Sequence, residues 1–154
     1  MADFLDKGHI NTVLFDKHTR KICFNIKIPL CVLLPAIPFL TKDGLISDFK
    51  ISSPLSIWIP NTEPILELKD TKILENFWTE TQKSVQHILE LWFKSEKILN
   101  SQLTPILPIG LYVEFNLIHN IDMLVIILHA WECDGPEGEF RWALTKLIAD
   151  QLIA

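Results

Sequence analysis

Between Gly110 and Trp131 the chain carries the pattern that most restricts how it can fold. Leu111, Val113, Phe115 and Leu117 alternate with Tyr112, Glu114, Asn116 and Ile118. A period of two belongs to a strand that lays one face on a core. His119-Asn120 suits a tight turn, because Asn accepts positive φ at low cost. Residues 122–131 then read as the returning strand of a hairpin. Its six consecutive apolar residues, Met123 to Leu128, predict a central strand covered on both faces, with Val125, Ile127 and Leu128 fully buried.

The other elements read as packing on this hairpin or pairing beside it. Residues 11–16 predict a strand and 17–20 its polar turn. From Lys21, the residues Ile22, Phe24, Ile26 and Ile28 point one way and Lys21, Cys23, Asn25 and Lys27 the other. One wet face places this first hairpin nearer the sheet edge. Residues 45–52 and 55–59 read as two short strands, or one strand broken at Pro54. Asp70 can cap a long helix running to about residue 99. Leu74, Trp78, Thr81, Val85, Ile88, Leu89 and Trp92 form its apolar stripe, while Ile73, Leu91 and Ile98 fit neither face. Asp134-Gly135-Pro136 opens a last helix over about 137–153, buried on Phe140, Ala143, Leu144, Leu147, Ile148 and Gln151.

The fold class expected is α+β in one domain spanning 1–154. It has a mostly antiparallel sheet of about five to six strands, with the long helix and the C-terminal helix packed on it. At 154 residues, 49% apolar and 21% charged, the chain suits a packed globule and not a disordered one. This order of strand group, helix, hairpin and last helix resembles that of small secretion-chaperone folds. The first helix of that order is here missing or reduced to a turn.

Several classes of function are disfavoured. A net charge of −5, with Arg20 and Arg141 the only arginines, speaks against nucleic acid. Residues 22–40 are the most membrane-like stretch, but Asn25, Lys27, Pro29, Pro35 and Pro38 make a membrane span improbable. The first residues lack the basic-then-apolar pattern of a secretory signal. Cys23, Cys31 and Cys133, odd in number and irregular in spacing, predict reduced thiols and a cytoplasmic setting. The five glycines form no phosphate-binding pattern, and no cofactor is expected.

Three places invite a search for chemistry. His129, Glu132, Cys133, Asp134 and Glu137 cluster in sequence, yet His129 and Cys133 would stand ~13 Å apart on an extended strand, too far to share a metal. Cys23 has His18, Lys21 and Lys27 nearby, without a group to orient the histidine. His87 sits on the polar face of the long helix. Residues 29–40 remain, apolar and excluded by proline from an inner strand or a long helix. The function expected is that of a non-enzymatic protein-binding module: an adaptor, a chaperone-like subunit or an inhibitor. Its partner is another protein or a second copy, met by Val32, Leu33, Leu34, Ile37, Phe39, Ile73, Leu91 and Ile98. The competing expectation is a small-molecule binder or enzyme with a pocket between sheet and long helix near His129 and Cys133.

Overall fold

The computed structural model describes residues 3–47, 50, 51, 56, 58, 72, 73, 75–77, 79, 80, 83, 84, 87 and 110–153. Among the described residues five strands pair antiparallel throughout: β1 (His9–Asp16), β2 (Lys21–Pro29), β3 (Leu45–Ile46), β4 (Lys50–Ile51) and β5 (Tyr112–Asn120). Their order is β1-β2-β5-β3, and β4 pairs with β5 further along the edge that β3 occupies. Backbone bonds from Trp58 N to Gly110 O and from Tyr112 N to Ser56 O extend the pairing past the start of β5. Of the expected strands at 45–52 and 55–59, Leu45–Ile46 and Lys50–Ile51 are paired with β5 and Ser56 and Trp58 bond beside it, while the other residues of 48–59 lie outside the described residues.

The alternation read from the sequence holds in β2 and in β5 from Val113 onward, whereas Tyr112, read onto the wet side, is buried with its hydroxyl donating to Phe4 O. Ile22, Phe24, Ile26 and Ile28 are buried opposite His119, Leu117, Phe115 and Val113. Helices cover this face. The last helix, Gly135–Ile153, buries Phe140, Leu144 and Ile148 against it, all three as expected. At the turn after β1, the Asp16 carboxylate accepts from the backbone N–H of His18. That bond holds the carboxyl below its usual range, helped by further bonds from Thr19. Arg20, at φ 59°, then reaches across to Asp122 in a two-point ion pair of 2.8 and 3.2 Å.

One expectation is corrected. The returning strand at 122–131 is a helix, Ile121–Ala130, so β5 has no hairpin partner after it. The element order that resembled secretion chaperones is lost with that hairpin. Asn120 is the cap of this helix and not a turn residue: its Oδ1 accepts from the N–H groups of Asp122 and Met123 at 3.0 and 3.1 Å. An apolar run without alternation suits a buried strand or a helix equally, and here the cap decides. A helix also turns one side outward. Ile127 and Leu128 are buried as expected, but Val125 is 41% exposed. Replacing the cap, Asn120→Ala, is expected to cost ~0.5–2 kcal/mol in urea denaturation.

Residues 30–40, read only as unable to form an inner strand or a long helix, take a defined form. Leu30–Leu40 is an eleven-residue helix with Pro35 and Pro38 inside it. Each proline removes one backbone bond and strains the turn before it, at about 3 kcal/mol in an ordinary helix interior. Burial of Leu30, Val32, Leu33, Ala36 and Leu40 offsets this. The helix begins directly at the end of β2, where Leu30 N bonds to Leu111 O at 2.8 Å. It closes at Thr41, whose N–H and hydroxyl both donate to Ile37 O.

The described positions between 72 and 87 are helical, with Thr79 and Ser84 hydroxyls donating to the carbonyls of Glu75 and Glu80. The stripe of Leu74, Trp78, Thr81, Val85, Ile88, Leu89 and Trp92, and the continuation to residue 99, lie outside the described residues. No helix among the described residues is long and apolar enough to cross a membrane.

Candidate functional site

The sheet has a second face, turned away from these helices, and its composition changes from row to row. Residues paired directly across neighbouring strands share a face. Leu14 pairs with Cys23, Cys23 with Ile118, and Ile118 with Leu45, so one apolar row crosses β1, β2, β5 and β3. Leu14 and Leu45 are 64% and 62% exposed, Ile118 is exposed and Cys23 half-buried. A bulge between Thr12 and Leu14 decides which residue of β1 joins the row. The extra residue shifts the register, so that Leu14 and not Val13 falls opposite Cys23.

Polar rows flank it on both sides. On one side Asn11 pairs with Asn25 and Asn25 with Asn116, and Ser47 follows through its backbone and hydroxyl bonds to Asn116. Asn25 is tied in further: its side chain bonds His9, Glu114 and Asn116. On the other side stand Asp16, Lys21 and Asn120. The result is an apolar line held in a polar frame.

The surface expected at residues 32–39 is divided by its helix. Val32 and Leu33 point into the core and Ile37 is half-buried, while Leu34 and part of Phe39 remain accessible. Phe39 stacks on Trp131, with ring centroids 5.1 Å apart. Ile73 is exposed on the helical stretch at 72–87. Leu91 and Ile98 lie outside the described residues. These residues do not come together as one described patch.

His129 and Cys133 lie at the end of the helix Ile121–Ala130 and in the connection that follows it. A groove of about 230 Å³ runs between this helix and the last one, floored by Val125, Leu128, Ile148 and Leu152, with His129 and Arg141 at its edge. A second hollow of about 440 Å³ shares His129 and Arg141 and is walled by Glu132, Cys133 and Asp134. Burial pushes the Cys133 thiol up, and Glu137 and Asp134 add to this against an opposing effect of Arg141. A thiol so placed stays protonated and is a poor nucleophile. Among the described residues no three of His, Cys, Asp or Glu gather to hold a metal ion.

His119, read from the sequence as a turn residue, is buried near the end of β5. Its Nδ1 and Nε2 each face a backbone carbonyl at 3.0 Å, those of Asn120 and Lys42. The ring lies against Gly44, where an added Cβ would meet His119 Cδ2 at 2.2 Å and Leu40 O at 2.5 Å. Gly44→Ala is expected to cost ~1–3 kcal/mol by overpacking. A melting temperature equal to that of the wild type would show that this approach is not tight.

Sequence reasoning missed Leu14, Leu45 and Arg141. Ile118 already stood on the wet side of the alternation, but only the pairing register joins it to the others. Arg141, Thr145, Ile148 and Leu152 fall at helical spacing along the groove, a signal the sequence carries. No family model matches the chain, and no curated protein matches it either.

Proposed function

We propose that this chain is a non-enzymatic protein-binding module, of the adaptor, chaperone-like or inhibitor kind, that meets its partner through the row Leu14, Cys23, Ile118 and Leu45. The observation that carries this reading is the continuity of the row across four strands on the face away from the core. Apolar side chains scattered singly on a surface are ordinary; a connected line is not required by folding. With strands about 4.8 Å apart the line is roughly 14 Å long. Its polar borders match the usual build of an interface, apolar at the centre and wet at the rim. The free thiols at Cys23, Cys31 and Cys133 suit a cytoplasmic setting.

Leu14→Lys combined with Leu45→Glu tests the reading. Both positions are well exposed, so stability is expected to change by no more than about 1 kcal/mol. Proteins retained by the wild-type chain in co-purification, or self-association seen by light scattering, are expected to be lost in the double variant. Equal retention and equal mass for both chains would reject the row as the contact surface.

A further inference from the structure

We propose that the groove between the helix Ile121–Ala130 and the last helix binds a short aliphatic monocarboxylate. Its chain rests on Val125, Leu128, Ile148 and Leu152 and its carboxylate on Arg141. This is a second binding activity, on the helical side of the sheet, and it does not rest on the protein-binding row.

The groove combines an apolar floor with one cation. Leu128 and Ile148 close its base, whereas Val125 and Leu152 are 41% and 48% exposed along it. Such side chains gain from a ligand that removes them from water. Its volume of about 230 Å³ lies below the roughly 300–1,000 Å³ of sites for drug-sized molecules, which restricts the ligand to a short chain.

Arg141 sets the chemistry of the head group. Its Nε donates to the carbonyl of Leu128, near the end of the neighbouring helix, and this bond fixes the guanidinium at the groove edge. Among the described residues no carboxylate lies within ion-pair distance of Arg141. Glu137, one turn before Arg141 on the same helix, accepts from Trp131 Nε1 instead. The Nη groups therefore keep their capacity for a carboxylate, whose two oxygens match the guanidinium fork. Glu132 and Asp134 wall the adjoining hollow. Their charge opposes a dianion more strongly than a single carboxylate, so a phosphate monoester is the poorer fit.

Octanoate, titrated into the full chain and followed by amide chemical shifts, is the probe. Saturable shifts are expected at Val125, His129, Ile148 and Leu152. Binding is expected to weaken by about tenfold or more in Arg141→Met, and to be weaker by a similar factor for 1-octanol and octyl phosphate with the wild type. Ala149→Phe, at an exposed position on the groove wall, leaves the cation in place and is expected to block octanoate. Should Arg141→Met fail to fold, Ala149→Phe and the comparison of the three probes decide the matter. Absence of saturable shifts, octanol binding as tightly as octanoate, tighter binding of octyl phosphate, or octanoate binding unchanged by Ala149→Phe would each overturn the proposal.

Discussion

Leu33→Asp is expected to abolish the cooperative unfolding transition, while Leu34→Asp leaves it in place. Consecutive residues on a helix point about 100° apart, so neighbours can face core and water. Leu33 is 0% exposed and Leu34 46% exposed on the helix Leu30–Leu40. A carboxylate at 33 would stand without a partner among Phe24, Phe115 and the other residues of the core cluster. Its burial, or the shift in protonation needed to avoid it, consumes most of the ~5–15 kcal/mol that holds a domain of this kind together. At 34 the same group stays in water, and a change within about 1 kcal/mol is expected. Urea denaturation followed by tryptophan fluorescence separates the two outcomes. Equal loss in both variants would mean that the helix is buried all round, and equal tolerance would mean that it does not cover the core.

Trp131→Ala is expected to lower stability by ~3–5 kcal/mol, the range for deleting a large buried aromatic. Trp131 is 1% exposed and lies between Phe39, stacked at 5.1 Å, and Phe140, edge-on at 6.3 Å. It joins the helix Leu30–Leu40 to the last helix, and its own N–H bonds Ile127 O to close the helix between them. Its indole N–H donates to Glu137 at 2.8 Å. Trp131→Phe keeps much of the ring contact and removes that donor, so a smaller loss of about 1–2 kcal/mol is expected. Calorimetry of the two variants tests the assignment. A loss below about 1 kcal/mol in Trp131→Ala would show that the three rings do not form one packed unit.

Much of the fold was legible because the alternating pattern is local. Ile22 to Ile28 and Val113 to Leu117 declare which side of each strand is buried, whatever the strands lie beside. The last helix was legible for the same reason: Phe140, Leu144 and Ile148 repeat at the spacing of one helix face. Even the wet side of β5, with Glu114, Asn116 and Ile118, could be written down before any fold was known.

Residues 121–130 were not legible in that way. An apolar run offers no period with which to choose between strand and helix, and Asn120 suits a turn or a cap. The choice lies in what surrounds β5. One of its edges is taken by β2, and the other by β3 and β4. A returning strand would find no vacant edge beside it, so the chain satisfies its backbone within a helix. The prolines at 35 and 38 argued only against an inner strand and a long helix, and burial of five apolar side chains holds a helix of eleven residues in spite of them.

The candidate sites divide along the same line. The sequence by itself determined that Ile118 and Cys23 face away from the core and that Arg141 shares a helix face with Ile148. Only the tertiary structure decided that Leu14 and Leu45 stand beside them, because a bulge in β1 and the capture of a two-residue strand by β5 set that register. Facing is decided by a residue's own neighbours in the chain. Adjacency across strands is decided by pairing between segments up to about a hundred residues apart, where the competing registers differ by one step and the whole core selects among them.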